Sequence, residues 1–224
     1  MRLCIVDTKS ANFNSVVQAL KRLGVEATIS ADLSVLKQAD KLIMPGVGSA
    51  TAVMKGLLNC SSTEVILQNE QGLKPQGELI DFICNYRQPL LGICLGMQVQ
   101  AQASEEVPLE GHCKQIATLG LVQGTVHRLH AQDASTGEML PLPHMGWNTI
   151  QHQDHPLFKG IPQNSYFYFV HSFALDVGAN TIATCNYGQD FSAAVARDNF
   201  MGVQFHPEKS GTIGAQLLQK FLEL

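Results

Sequence analysis

Three short segments of this chain place reactive or ligand-cradling residues where chemistry needs them. The sharpest is Gly92-Ile93-Cys94-Leu95-Gly96. The apolar run Pro89–Ile93 reads as a strand and the residues from Leu95 onward as a helix, so Cys94 occupies a strand–turn–helix elbow of the kind that presents a nucleophile. A nucleophile on such a strained turn needs small neighbours, which Gly92 and Gly96 supply. The start of a helix favours a thiolate, and the Leu95 N–H would point where an oxyanion forms. The second segment is Gly202-Val203-Gln204-Phe205-His206-Pro207-Glu208. On an extended strand His206 and Glu208 project to the same side, so a carboxylate can orient the imidazole that a thiol needs as its base. The third is Pro45-Gly46-Val47-Gly48, a turn of small residues whose backbone N–H groups can approach a ligand closely.

These segments need a frame that brings them together. Leu3–Val6, Glu26–Ser30, Lys41–Met44 and Pro89–Ile93 read as strands. Helical patterns over Ser15–Leu23, Asp32–Gln38, Ala50–Leu58 and Glu78–Arg87 alternate with them, which is the signature of a parallel sheet covered on both faces. Loops at the carboxyl ends of neighbouring parallel strands converge on one crevice, and both the Cys94 elbow and the 45–48 turn lie at such ends. The second half changes to short alternating segments, Leu119–Leu129, His144–Ile150, Tyr166–Leu175, Thr181–Tyr187, Ser192–Arg197 and Gly202–His206, expected as strands that extend or close the sheet, several of them antiparallel. Ile213, Leu217 and Phe221 mark one face of a last helix. Residues 59–77 read as an irregular surface insertion. The expected fold is a single α/β domain over residues 1–224, with a mixed, mostly parallel sheet flanked by helices.

Composition narrows the function classes. Of 224 residues, 45% are apolar and 15% charged, which suits a packed globular chain and excludes a disordered one. The net charge of −4 and the lack of any basic run argue against nucleic acid or an anionic membrane as partner. No run approaches the ~18 apolar residues of a spanning helix, and the expected location is the cytoplasm. The six cysteines are scattered without a CxxC pair and do not cluster with histidines, so neither a disulfide framework nor a zinc site is expected. From the residues alone, a cysteine peptidase or another thiol hydrolase stays open beside an amide-hydrolysing enzyme.

GICLGMQ (92–98), PGVG (45–48) and GVQFHPEKSG (202–211) together resemble the class I, triad-type glutamine amidotransferases. PHMGWN (143–148), YFVHSF (168–173) and the HPEKS run are similar to one branch of that family, the glutaminase subunits that supply a cyclase subunit in histidine biosynthesis. The resemblance implies that Cys94 is the nucleophile, His206 its acid and base, and Glu208 the orienting carboxylate. It implies L-glutamine contacts from Gln98, Glu106 and Leu95, from the backbone of His171, Ser172 and Phe173, and from Gly46, Val47 and Gly48. Asn12, Trp147, Asn148 and Lys209 would face the cyclase subunit of a heterodimer. No metal or cofactor is implied. One departure stands out: Lys9 occupies a first-loop position where the family usually has glycine.

Overall fold

The computed structural model describes residues 1–10, 13–59, 75–107, 114–133 and 135–224. Asn12 and most of the expected 59–77 insertion lie outside the described residues. The chain runs β1 (Leu3–Val6), α1 (Asn14–Arg22), β2 (Ala27–Ser30), α2 (Leu33–Leu36), β3 (Lys41–Gly46), α3 (Ala50–Leu58), α4 (Glu78–Asn85), β4 (Leu90–Cys94) and α5 (Leu95–Gln98). Strands then dominate: β5 (Ala103–Ser104), β6 (Ile116–Ala117), β7 (Thr125–Arg128), β8 (His144–Thr149), β9 (Gln151–His152), β10 (Tyr166–His171), β11 (Phe173–Leu175), β12 (Thr181–Asn186), β13 (Asp190–Arg197) and β14 (Phe200–Val203), before α6 (Gly211–Glu223).

The main sheet has the order β2-β1-β3-β4-β14-β13-β12-β9. β2, β1, β3, β4 and β14 run parallel; β13, β12 and β9 add antiparallel pairs. Strand periodicity explains the two cores. On β1, Leu3 and Ile5 pack with Val16 and Leu20 of α1 and Leu217 and Phe221 of α6. Cys4 and Val6 turn to the opposite face, with Val53 and Leu57 of α3 and Ile80 and Ile83 of α4. Such two-sided burial is what makes parallel strands continuously apolar. Among the described residues no helix is long and apolar enough to cross a membrane.

Two sequence expectations change. The segments 144–150 and 166–175 do not extend the main sheet: β8 pairs with β10 in a separate antiparallel ribbon, and β11 joins β7, β5 and β6 in a third sheet. The expected strand Leu119–Leu129 contracts to β7, because residues 119–124 turn, with Leu119 and Val122 packed inward, before the chain extends. Lys9 carries the conformation glycine would favour, with φ 55°, and its N–H donates to Asp7 Oδ1 at 2.8 Å. That local bond supports a left-handed residue that is not glycine.

The elbow itself is a matter of space. A β-carbon on Gly96 would lie 1.7 Å from the Met44 carbonyl oxygen, and one on Gly92 2.5 Å from the Gly96 carbonyl oxygen. α5 therefore crosses the end of β3 at a distance only glycine permits. Gly96→Ala should lower stability by at least about 2 kcal/mol, whereas Gly178→Ala, whose β-carbon would meet nothing closer than 4.0 Å, should stay within about 0.5 kcal/mol. Thermal melts of the two variants check this; equal midpoints would contradict the packing argument.

Candidate active site

Cys94 ends β4 with φ 53° and ψ −112°, a left-handed, strained backbone for a residue with a side chain. Such a conformation persists only where the surroundings impose it, here through the Gly92 and Gly96 contacts. The thiol is buried; its Sγ lies 3.8 Å from the Val170 carbonyl and 3.7 Å from Gln204 Nε2, which donates to it. α5 has only four residues, so its dipole is weaker than that of the longer helix expected from the sequence.

That imidazole belongs to His206. Its Nδ1 donates to Glu208 Oε1 at 2.7 Å, with both side chains about 95% buried. The pairing does not arise from an extended strand. β14 ends at Val203, and Pro207–Lys209 form a turn of 3-10 helix that folds the Glu208 carboxylate back onto the ring. Ser210 pins this turn: its hydroxyl donates to the His206 carbonyl at 2.6 Å and accepts from the Tyr168 N–H at 2.9 Å. His206 Nε2 is buried without a well-aligned hydrogen bond. Burial alone would lower the imidazole, but the Cys94 thiol and the Glu208 carboxylate outweigh it and raise the group to about 10.

A cavity of about 370 Å³ opens in front of the thiol. Gly46, Val47, Gly48, Leu95, Gln98, Glu106, His171, Ser172 and Phe173 all line it, with Cys94 and His206. Gly46 sits in register with Cys94 across β3 and β4, so the small-residue turn lies beside the nucleophile. Gln98 is buried and oriented by two donations from Nε2, to the Phe173 carbonyl at 2.7 Å and to Gln204 Oε1 at 2.9 Å. The Glu106 carboxylate accepts from the Ala50 N–H at the start of α3 at 2.7 Å, while burial raises it above the usual range.

Trp147, Asn148 and Lys209 do not line this cavity. Lys209 Nζ lies 5.9 Å from the Tyr168 ring centre, and Trp147 packs edge-on to Tyr168. Reasoning from sequence misses Gln204, Arg128, Pro143 and Val170. Gln204 stands within the GVQFHPE run, two residues before His206, which was the available signal. Arg128 reads only as the polar end of an alternating strand, yet it brings a permanent cation to the lining.

A buried thiol on a strained strand–helix turn, beside an imidazole held by a carboxylate, in a doubly covered α/β sheet, defines a thiol hydrolase. The chain belongs to the class-I glutamine amidotransferase family, whose family model matches residues 4–224. It is 48% identical to the imidazole glycerol phosphate synthase subunit HisH of Vibrio cholerae, over 98% of this chain and 97% of that one. It is also 48% identical to the HisH subunit of Yersinia pseudotuberculosis, over the full length of both chains. Among solved structures, a GMP synthase subunit of Thermoplasma acidophilum superposes with a TM-score of 0.68 at 17% identity, covering 100% of this chain and 92% of that one. A glutamine amidotransferase structure gives 0.64 at 21%, covering 98% and 97%; at such identities the likeness concerns the fold.

The geometry makes the His206 titration depend on its neighbours. Replacing Cys94 with Ala should bring His206 well below about 10, because the thiol supplies part of what raises it. A folded-state value above the ordinary 6.5 means the interaction stabilises fully below about pH 6.5 and is lost as pH rises through about 10. NMR titration of His206 in both forms checks this; an unchanged value in Cys94→Ala would show that the thiol contributes nothing.

Proposed function

We propose that this chain is the glutaminase subunit of an imidazole glycerol phosphate synthase. It hydrolyses L-glutamine and passes the ammonia to a cyclase subunit, forming a heterodimer that works in histidine biosynthesis in the cytoplasm. Residues 1–224 act as one glutaminase domain. The observation that carries the reading is the convergence of Cys94, Gln98, Glu106 and a His206 held by Glu208 on one cavity of about 370 Å³. The full-length similarity to HisH subunits selects this member of the family.

In the first half-reaction the Cys94 thiolate attacks the side-chain amide carbon of glutamine, and backbone N–H groups of Leu95 and the Gly46-Val47-Gly48 turn receive the oxyanion. His206, held by Glu208 through Nδ1, gives its Nε2 proton to the amide nitrogen. The C–N bond breaks, ammonia leaves, and a glutamyl thioester remains on Cys94. Water then loses a proton to His206, attacks the thioester carbon and releases glutamate, restoring the thiolate. Glu106 faces the substrate ammonium, and the backbone of His171, Ser172 and Phe173 holds the carboxylate end.

The face for the cyclase is the outer side of the β8–β10 ribbon. Alternation on the two strands turns Phe167, Phe169 and His171 inward and leaves Met145, Trp147 and Tyr166 outward, 65%, 55% and 60% exposed. Exposed large apolar residues gathered in one place favour a protein interface. Lys209, whose Nζ lies over the Tyr168 ring, belongs to the same proposed contact region, whereas Asn148 lies on the inward face of β8, opposite Phe167. A second cavity of about 40 Å³ shares Gly46, Val47 and His206 with the first and reaches Lys209, which suits an ammonia exit toward that side.

Cys94→Ala should lose glutamine-dependent turnover, by at least about a thousandfold, while the complex still makes product from added ammonia. Glu208→Gln should retain measurable activity, because the imidazole remains. Ammonia and product assays on the complex check both; glutamine-dependent turnover in Cys94→Ala would overturn the mechanism. Trp147→Ala and Lys209→Ala should weaken cyclase binding or uncouple ammonia release from product formation without unfolding the glutaminase chain. Titration calorimetry with the cyclase, read beside the coupling ratio, checks this, and wild-type values in both variants would remove these residues from the interface.

A further inference from the structure

Two buried histidine side chains beside the cavity take no part in these steps. His144 and His171 stand opposite each other across the β8–β10 ladder, with His144 Nδ1 3.0 Å from His171 Nε2. Burial lowers His144 to about 4 and His171 to about 3, so both rings are neutral at neutral pH. Neutral rings have one proton each, and the partners decide where it sits.

His171 Nδ1 lies 2.9 Å from the Phe173 carbonyl, which can only accept, so Nδ1 carries the proton and Nε2 accepts. His144 Nδ1 must then donate to it, which leaves His144 Nε2 to accept from Asn148 Nδ2 at 3.3 Å. Asn148 is itself fixed, since Nδ2 also donates to the Asn186 carbonyl at 2.9 Å and Oδ1 accepts from the Thr149 N–H at 2.8 Å. Stacking between the rings of Phe169, at 4.9 Å, and Tyr187, at 4.0 Å, holds the His144 plane. The chain runs one way, from Asn148 through His144 and His171 to the Phe173 carbonyl. That carbonyl is also the acceptor for Gln98 Nε2 in the glutamine cavity.

We propose that His144 is a positioning residue for the glutamine site: through His171 it sets the Phe173 carbonyl that aims Gln98, and it ties that setting to strand β8, whose other face carries Trp147. The kinetic part rests on the glutaminase reading; the direction of the hydrogen-bond chain does not. A pair that merely fills the core would tolerate any ring of the same shape.

Nitrogen-15 NMR of the whole chain should find His144 and His171 both as Nδ1–H imidazoles at neutral pH. Either ring as the Nε2–H form overturns the chain. His144→Phe keeps a stacked ring and loses both hydrogen bonds; His144→Asn keeps a donor where Nδ1 stood. His144→Phe should raise the KM for glutamine about tenfold with kcat changed less than about threefold, and His144→Asn should recover most of the loss. A wild-type KM in His144→Phe, or a His144→Asn enzyme as impaired as His144→Phe, overturns the proposal. Should His144→Phe not fold, Asn148→Asp replaces it. Its carboxylate only accepts, so His144 Nε2 must take a proton; the same KM rise and a changed His144 nitrogen signal support the proposal, and wild-type values overturn it. A wild-type chain that hydrolyses no glutamine would defeat the functional reading, and the tautomers would still decide the chain's direction.

Discussion

The site depends on how closely the backbone can pass where α5 crosses the end of β3. Met44 presents its carbonyl to Gly96, and no β-carbon fits between them. Because that crossing is tight, Cys94 is forced into its left-handed turn and Gly46 lies level with it in the sheet. A looser crossing would relax the turn, move the thiol away from His206, and separate the nucleophile from the small-residue turn proposed to meet the oxyanion. The strain, on the order of 1–3 kcal/mol for such a residue, is sustained by the two apolar cores packed on either face of the parallel strands.

Polar contacts then complete what the backbone positions. The buried Glu208 carboxylate would be costly alone; it persists because His206 Nδ1 meets it at 2.7 Å. Ser210 ties the turn that bears both residues to β10, the strand that leads directly into the His171-Ser172-Phe173 lining. Gln204 joins the thiol to Gln98, and Gln98 joins that pair to the Phe173 carbonyl. Nucleophile, base and cavity wall thus share one hydrogen-bonded frame, and the ribbon proposed to meet the cyclase is part of the same frame.

Much of this was legible in the sequence because its cause is local. A glycine on either side of Cys94, and a run of small residues after β3, are demands of close approach that leave a direct mark on residue type. The parallel half of the fold was equally readable from alternating strand and helix periods. The spacing of His206 and Glu208 implies their pairing but not its geometry: Pro207 ends the extended chain, and the contact comes from a tight turn that spacing alone does not distinguish from a strand. The second half misled for a similar reason. Short strands such as β8 and β10 alternate as edge or ribbon strands alike, and only tertiary packing decides which sheet they join. Nothing in its neighbourhood marks Arg128, and Gln204, although it stands within the GVQFHPE run, takes its role from contacts with Cys94 and Gln98 far along the chain.

The most direct measurement is mass spectrometry of the whole chain, mixed with L-glutamine in the presence of its cyclase and quenched in acid during turnover. A glutamyl adduct carried by the peptide that contains Cys94, sensitive to hydroxylamine as a thioester must be, is the expected result. Ammonia release at a normal rate with no adduct on Cys94, or with the adduct on another residue, would contradict acyl transfer through this thiol.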